Sequence, residues 1–445
     1  MVEINHSPTI RSLVLMSLSL LIFVFVFDRM SFFPYPEMLT ETYFLKIGML
    51  PYTQINDQHF PGLFLLPINL QSLGFDNVIK LHWLHLSLII ANSLLIYFLT
   101  KKHLAVITYL VFFTIWEGNT LWVDSFVATL ALLGFISLYS GWTFKSFFRH
   151  LVTGLIFGLI LLFKQHGILL CLVAGAWVLV QRPKLLHLAG FLLGGILPMG
   201  IAMLYLYRLG VWNDFWFWTV AHNLSGYIGR EGRWPMIGEL TRFLLLSIPA
   251  LFCLLQIRPR KKAVLIGGFA LAAMVYIFPR FGLIHAQVVL PVLIFLVSRV
   301  RKSNWLILGM GLIFMARMAA RDIPGKVYFY DQTTEPTVEY VRQNASPDRP
   351  IYVYGVNDNI YHLTSTRPPQ RIWIELLKGN IIAGVEDTLI NSLSLDPPQF
   401  ILIDPHAQID GERIPEFTPQ LWQYITSKYK VKVNLKNGIQ VWYVN

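Results

Sequence analysis

Three carboxylates near the start of the chain are the residues whose type and spacing best suit chemistry. Only 14% of the 445 residues are charged, yet Glu37, Glu41 and Asp57 follow closely on the first apolar run. A carboxylate beside a hydroxyl group can take its proton and make the oxygen a better nucleophile. Each also has a structural explanation, since Glu37 and Glu41 could form one solvated helix face and Asp57 could cap a helix. Proton transfer is therefore the chemistry to test first.

Further ionisable side chains stand at the ends of apolar runs. Asp124 opens one such run, and an ionisable residue at membrane depth is costly enough to be a functional candidate. Its alternative role is a hydrogen bond that ties two helices together. Lys164 and Arg280 are cations at other run ends, where snorkelling to the membrane interface is the alternative explanation.

The elements that must position these residues are membrane-spanning helices. The chain is 55% hydrophobic, and its charged fraction is well below the roughly 25% of a soluble domain. A spanning helix needs about 20 mostly apolar residues. The sequence predicts eleven spans, at residues 12–29, 79–100, 103–117, 119–139, 150–164, 167–181, 185–207, 241–257, 263–279, 285–299 and 304–320.

The turns between these spans alternate in charge, which predicts the orientation. One set, with the N-terminus, holds fourteen basic residues against a single acid, Glu3, and short basic loops stay in the cytoplasm. We therefore expect a multi-pass protein of the bacterial plasma membrane with a cytoplasmic N-terminus, an uncleaved first span and an extracytoplasmic C-terminus. The basic set is Arg11, Lys101, Lys102, Lys145, Arg149, Arg182, Lys184, 258–262, Arg299, Arg301 and Lys302.

The formal net charge of +11 does not indicate a nucleic-acid partner. Residues 1–321 hold 25 basic and 11 acidic residues, whereas residues 322–445 hold 11 basic and 14 acidic residues. The excess thus belongs to the membrane part, where orientation explains it. Cys171 and Cys253 lie inside apolar spans and are expected to be buried thiols.

Two organisational units are predicted, a transmembrane part at residues 1–321 and an extracytoplasmic α/β domain at residues 322–445. The first outer loop, residues 30–77, has a helical pattern at 37–50 and an apolar piece at 63–73 expected at the membrane interface. Another outer loop, 207–241, is crowded with aromatic rings typical of headgroup depth. In the α/β domain, strands are predicted at 326–330, 351–355, 400–404 and in a hairpin at 431–444, and helices at 336–344, 373–395 and 418–429.

The motifs of the first outer loop resemble a known family. Gly48, Pro51, Tyr52, Asp57 and Pro61 match a Gly, then a Pro-Tyr-x-Asp-x-x-Asp-x-Lys-Pro-Pro-like stretch that follows an early acidic residue. This pattern is similar to that of the GT-C superfamily of membrane glycosyltransferases, in particular bacterial relatives of protein mannosyltransferases and aminoarabinose transferases. The chain departs from it at Gln54, His59 and Phe60, which replace the first Asp, the Lys and the first Pro.

Later segments resemble the same family more loosely. They are 122–125, 162–167, the loop from Pro279 to His285, and 397–402, so that the likeness covers nearly the whole chain.

The resemblance implies a sugar transfer from a polyprenyl-phosphate donor to an acceptor hydroxyl on the extracytoplasmic face, with inversion. Membrane lipids surround the protein, and the acceptor is a lipid, a glycan or a protein. The implied base is Asp57, Glu37 or Glu41, and Lys164, Arg280 and His285 would bind the donor phosphate. The remaining site candidates are His59, Tyr52, Asp124 and Gln165. The family leaves a divalent cation (Mg or Mn) open, and no metal ligand is assigned.

Three other functions fit parts of the sequence. A transporter or flippase of a lipid-linked glycan would explain the helices and charges, but no internal repeat or interrupted helix pair is visible. A glycan polymerase or ligase shares the donor class and the topology. A structural assembly protein would leave the charges within the membrane unexplained.

Overall fold

The structure, a computed structural model, describes residues 10–28, 30, 32–140, 146–258, 260–299, 301–322, 334–346, 348–409 and 411–445. Each of the eleven predicted spans is helical, and the tenth is divided into two short helices. Numbered in chain order together with the helices between them, the first fifteen helices are α1 (Ile10–Phe27), α2 (Thr42–Lys46), α3 (Val78–Thr100), α4 (His103–Ile115), α5 (Val123–Tyr139), α6 (Phe147–Phe163), α7 (Ile168–Val180), α8 (Leu185–Arg208), α9 (Trp212–Trp216), α10 (Ile228–Glu231), α11 (Ile237–Leu255), α12 (Arg260–Val275), α13 (Leu283–Ala286), α14 (Leu290–Val297) and α15 (Arg301–Asp322).

By length and composition, α1, α3, α8 and α11 could each cross a membrane within the described residues. The apolar helices α4 to α7 have 13 to 17 residues. At 1.5 Å per residue they extend about 20–25 Å, less than the ~30 Å hydrocarbon core.

Helix α14 forms the centre of the bundle. Every residue from Leu290 to Val297 is buried, and the helix packs against α3, α4, α5, α11 and α12. A helix that is apolar on all sides is stable only when other helices surround it. The α14 segment has that composition, since all eight residues are apolar.

Helices α6 and α8 pack with their backbones in close contact. A Cβ atom added at Gly154 would lie 2.0 Å from the carbonyl oxygen of Phe191, and one at Gly194 would lie 2.1 Å from that of Leu151. Small residues allow such approaches between membrane helices, where packing rather than water exclusion drives association. This pair aligns the C-terminal end of α6, from which Lys164 follows.

The first outer loop folds onto the helix ends. The predicted helical segment at 37–50 begins with a π-helical turn, Glu37–Glu41, that continues into α2. Strand β1 (Phe33–Pro34) pairs in parallel with β3 (Thr120–Leu121), just before α5, and β2 (Ile55–Asn56) lies between them in sequence. Residues 63–73 form a series of turns; their place at the membrane interface stays a prediction.

The C-terminal α/β region, residues 334–445, contains a four-stranded sheet. Its strands are β4 (Tyr352–Tyr354), β6 (Ile401–Ile403), β9 (Tyr429–Asn434) and β10 (Gln440–Val444), after β5 (Trp373–Ile374) and the hairpin β7 (Gln408–Ile409) and β8 (Glu412–Arg413). The sheet order is β4-β6-β10-β9; β4 and β6 run parallel, and the other pairs are antiparallel. The helices are α16 (Thr334–Asn344), α17 (Asn359–Thr364), α18 (Val385–Leu395), α19 (Ile414–Phe417) and α20 (Pro419–Lys428).

One predicted helix in this region is wrong in its first half. Residues 373–395 were expected to be one helix, but Trp373–Ile374 is strand β5, and helix α18 begins only at Val385. Strand β5 pairs in parallel with β2 of the first outer loop, so a tertiary contact determines its conformation. The strand predicted at 326–330 lies outside the described residues, and the domain boundary near residue 321 stays a prediction.

Candidate active site

Asp124 is the centre of a buried polar network at the outer ends of four helical segments. It lies in the first turn of α5, is fully buried, and accepts hydrogen bonds from Lys164 Nζ at 3.2 and 3.3 Å. His285 Nδ1 donates to Asp124 Oδ2 at 2.7 Å, and the hydroxyl of Tyr276 donates to Oδ1. Lys164 follows the last residue of α6, Tyr276 follows α12, and His285 is in α13. These hydrogen-bond partners compensate the negative charge of the buried Asp124 carboxylate.

Asp57 and His59 form a second buried group in the first outer loop. His59 donates to Asp57 Oδ1 from its backbone nitrogen at 2.9 Å and from Nδ1 at 2.8 Å. The hydroxyl of Tyr52 donates to the carbonyl oxygen of His59 at 3.0 Å. The second carboxylate oxygen, Oδ2 of Asp57, is buried and accepts no hydrogen bond among the described residues.

Glu37 and Glu41 reach the same region from the π-helical turn. Only 4% of Glu37, 1% of Glu41 and 4% of Asp57 is exposed. Trp122 Nε1 donates to Glu37 Oε1 at 3.2 Å. Oε2 of Glu37 and Oε2 of Glu41 are buried without a hydrogen-bond partner within the described residues. Buried polar atoms normally find partners, so oxygens left open in this way are suited to a bound substrate.

Trp122 connects the two groups. Its ring centre lies 4.7 Å from that of His285 and 5.6 Å from that of His59, and Lys164 Nζ lies 4.5 Å from the ring centre. The ring of Tyr35 also stacks on Trp122, with the two ring centres 4.7 Å apart. Glu37 and Lys164, predicted separately from sequence, therefore contact the same indole ring, and Asp57 is connected to it through His59.

Burial shifts the acidity of the outer-loop groups. It raises the pKa of Glu37 to about 7; the charge of His59 opposes this shift, and that of Asp57 adds to it. The pKa of Glu41 is raised well above its usual value by burial and by the charges of Asp57 and Glu37. Burial lowers the pKa of His59, but the charge and hydrogen bond of Asp57 outweigh it, so the net shift is upward. The pKa of Glu37 thus lies near neutral pH.

The side-chain amide of Gln165 binds the backbone of the first outer loop and does not contact the carboxylates. Its Nε2 donates to the carbonyl oxygen of Gln58 at 2.7 Å. Asn223 Nδ2 donates to the same oxygen at 3.0 Å, and Gln58 Nε2 donates to the hydroxyl of Tyr227 at 3.1 Å. These contacts fix the residue between Asp57 and His59.

Arg280 lies in the segment between α12 and α13. Residues 279–281 pair with Arg233, whose N–H donates to the carbonyl oxygen of Pro279 at 3.1 Å and whose carbonyl accepts from Phe281 at 2.9 Å. The Arg280 side chain is half-buried, and its charge acts on both His285 and Glu375. Arg280 therefore lies at the edge shared by the membrane part and the C-terminal region.

Sequence reasoning missed several residues of this site. Trp122 and Tyr276 were not among its candidates, although Trp122 stands two residues before Asp124. Glu375 and Asp358 come from the C-terminal region, and no pattern in the sequence indicates that they lie beside the first outer loop. Tertiary contacts bring them there, among them the pairing of β2 with β5 and the hydrogen bond from Thr40 to Asn359.

A divalent cation is not supported by the donor set. Among the residues that the structure describes, no group of three or more His, Cys, Asp or Glu side chains has an arrangement that could hold a metal ion. The nearest carboxylate oxygen to His59 is already its hydrogen-bond partner. We derive no step through a metal.

The helix order, the folded outer loop and the C-terminal α/β region define the class. The chain shares its fold with a solved membrane protein, as the resemblance to the GT-C superfamily implied. It is similar to the crystal structure of ArnT from Cupriavidus metallidurans bound to undecaprenyl phosphate, with a TM-score of 0.62 and 12% identity over 97% of each chain. The apo state of that protein gives a TM-score of 0.57 and 13% identity over 97% of each chain. No protein-family model and no curated protein sequence matches the chain.

Proposed function

We propose that this protein is an integral-membrane glycosyltransferase. It moves a sugar from a polyprenyl-phosphate donor to an acceptor hydroxyl on the extracytoplasmic face of a bacterial plasma membrane, with inversion at the anomeric carbon. The observation that carries the proposal is that Trp122 contacts both Glu37, a buried carboxylate with an open oxygen, and the Lys164 cation. The structural neighbour that binds undecaprenyl phosphate supports the donor class.

Glu37 is the best base in this arrangement. Its open Oε2 accepts the proton of the acceptor hydroxyl, and a base works best when its pKa lies near the working pH. The acceptor oxygen then bonds to the anomeric carbon while the bond from that carbon to the phosphate oxygen breaks. The electron pair stays on that oxygen, and polyprenyl phosphate leaves. One displacement from the face opposite the phosphate inverts the anomeric configuration.

Asp57 has a different environment from Glu37. His59 donates twice to its Oδ1, whereas Oδ2 has no hydrogen-bond partner among the described residues. Asp57 would then accept a hydrogen bond from a sugar hydroxyl or serve as the alternative base. Glu41 is also buried, and burial with the charges of Asp57 and Glu37 raises its pKa well above its usual value, which favours its protonated form.

The donor phosphate would meet the cationic side of Trp122. Lys164, His285 and Arg280 are the groups that would receive the charge that develops on the leaving phosphate. Lys164 is not a free cation, because Asp124 neutralises it at 3.2 Å. Asp124 therefore acts as the residue that positions Lys164 and His285.

The isoprenoid chain of the donor needs an apolar route beside the pocket. A cavity of about 520 Å³ is lined by Trp212, Asn213, Trp216, Phe217 and Ala221. It adjoins the site through Phe215, whose ring centre lies 5.1 Å from that of Tyr52. Exposed aromatic rings of this kind sit at headgroup depth in membranes, where the chain of the donor enters the bilayer.

The test uses the purified full-length protein and a panel of undecaprenyl-phosphate-linked pentoses and hexoses, with total membrane lipid and protein as acceptors. We expect release of undecaprenyl phosphate from at least one donor and a loss of about 10²–10⁴-fold in Glu37→Gln. Asp57→Asn is the parallel variant, and Glu339→Gln on the exposed face of α16 is the control. Binding of undecaprenyl phosphate should persist in all of them.

Full activity in both Glu37→Gln and Asp57→Asn would exclude the carboxylate mechanism. Donor movement across vesicles without any cleavage would instead favour a flippase. Joining of whole lipid-linked glycans would favour a polymerase or ligase.

A further inference from the structure

The C-terminal region forms hydrogen bonds with the outer-loop segment that carries Glu37 and Glu41. Thr40 Oγ1, next to Glu41, donates to Asn359 Oδ1 at 2.8 Å, and both side chains are buried. The hydroxyl of Tyr43 donates to the carbonyl oxygen of Thr366 at 2.9 Å. Arg371 Nη1 donates to the carbonyl oxygen of Ile47 at 3.1 Å. The region is therefore docked on the site by specific polar contacts.

The pairing of β2 with β5 sets the register of this docking. Ile55 is opposite Trp373 and Asn56 is opposite Ile374, and the Trp373 N–H donates to the carbonyl oxygen of Gln54 at 2.8 Å. The residues that follow each strand are Asp57 and Glu375. Paired strands lie about 4.8 Å apart, so this register brings Glu375 alongside Asp57.

The electrostatic neighbours of Glu375 are the residues of the candidate site. Burial raises the pKa of Glu375 well above its usual value, the charges of Glu37, Asp358 and Asp57 raise it further, and Arg280 opposes them. Its own charge in turn raises the pKa of Glu41. The titratable and charged groups that face it are Tyr35, Glu37, Glu41, Asp57, Asp358 and Arg280.

We propose that the C-terminal region completes the reaction pocket with Glu375, which donates a hydrogen bond to the bound substrate as a neutral carboxylic acid. This inference rests on the glycosyltransferase function proposed above. The Oε2 atoms of Glu37 and Glu41, both on side chains at least nine-tenths buried, have no hydrogen-bond partner among the described residues, as expected where a bound ligand supplies one. Glu375 is half-buried, as expected for a group at the rim between two parts of the chain.

A two-limbed pH profile follows from this assignment. Glu37 is the base and works only when ionised, so the rate of transfer should rise as the pH passes about 7. Glu375 donates only while protonated, and burial together with the charges of Glu37, Asp358 and Asp57 raises its pKa well above its usual value, so the rate should fall at higher pH. Ionised Glu375 would also repel the leaving phosphate.

The experiment measures the pH dependence of undecaprenyl phosphate release for the full-length protein and its Glu375 variants. Glu375→Gln keeps a donor and cannot become charged, so the alkaline limb should move upward by about one pH unit or more while the rate at pH 7 is retained. Glu375→Ala lacks the donor, and its rate should fall about tenfold or more. Glu335→Gln, an exposed glutamate of the same region, should change neither limb.

The outcomes separate this inference from the proposed function. Undecaprenyl phosphate binding by each variant shows that it is folded. If the Glu375→Gln protein does not bind undecaprenyl phosphate, the Glu375→Asp protein is measured instead. It should retain the alkaline limb of the pH profile. A wild-type protein that releases no undecaprenyl phosphate contradicts the glycosyltransferase proposal. If the wild-type protein releases undecaprenyl phosphate but Glu375→Gln leaves the alkaline limb unchanged, only the role of Glu375 is contradicted. The same holds if Glu375→Asp loses the alkaline limb.

Discussion

At the scale of single residues, Trp122 lies at the centre of the candidate site. It donates to Glu37 and lies against His59, His285 and Lys164. A rigid ring with one polar edge can separate a base from a group of cations while contacting both. This separation matters, because a carboxylate that pairs directly with Lys164 could no longer take a proton. Asp124 fulfils that pairing role instead.

The Asp124–Lys164 pair should be costly to break from one side. In Lys164→Met, Asp124 stays buried with only His285 and Tyr276 as partners. Removing one member of a buried pair typically destabilises a protein by about 3–5 kcal/mol. We therefore expect a marked loss of thermal stability in detergent, measured by intrinsic fluorescence.

Lys80→Met is the matched control, because the Lys80–Asp76 pair is similar in length, at 2.7 Å, but exposed. An exposed pair contributes only about 0–1 kcal/mol. Equal stability losses in the two variants would show that the network around Asp124 is not structurally important.

At the scale of elements, the ends of short helices hold the pocket. Asp124 lies at the beginning of α5 and Lys164 just beyond the end of α6. Both residues are buried, so these two helix ends lie within the protein, and the outer loop contacts them there. The close backbone contact between α6 and α8 holds α6 in position.

The glycine contact between α6 and α8 provides a test of this dependence. In Gly194→Ala the new Cβ would lie 2.1 Å from the carbonyl oxygen of Leu151, and a backbone atom cannot move aside without shifting the helix. Overpacking of this kind costs about 1–3 kcal/mol. We expect a lower unfolding temperature and weaker donor turnover.

Gly200→Ala on the same helix is the control, since nothing lies within 4 Å of its added Cβ. Its stability should match or slightly exceed that of the parent chain, because alanine favours a helix. A Gly194→Ala protein as stable as Gly200→Ala would show that α6 and α8 can separate without cost.

At the scale of the whole molecule, the distribution of charge indicates how the protein sits in the membrane. The basic turns all lie on one side of the predicted bundle, and the candidate site lies on the other. Short basic loops are retained in the cytoplasm. The site and the C-terminal region that covers it should then face outward, where polyprenyl-linked sugars present their headgroups to an extracytoplasmic acceptor.

A reporter fused after Val444 tests this orientation. Alkaline phosphatase placed there should be active and a green fluorescent protein dark, because the first works only outside the cytoplasm and the second only inside. The same reporters inserted in the basic turn at 258–262 should give the opposite pair of signals. A cytoplasmic signal after Val444 would mean that the number of spans is even.

The sequence alone determined the helices, the membrane class and the chemistry of the separate candidates. Apolar length and charge are local properties, so each predicted span is helical, and Asp57, Glu37 and Lys164 could be named without a structure. It also predicted the C-terminal hairpin, because an Asn-Gly turn between two β-rich runs is a local signal.

Only the tertiary structure decided which of these residues meet. Lys164 pairs with Asp124, Asp57 pairs with His59, and Glu375 reaches the site because β5 joins β2 across more than 300 residues of chain. The local pattern of residues 373–395 predicts one helix. Its first residues instead form a strand, because β2 offers them hydrogen bonds that their own sequence does not reveal. Contacts between distant segments depend on packing and register, and neither is encoded in the composition or spacing of a single stretch.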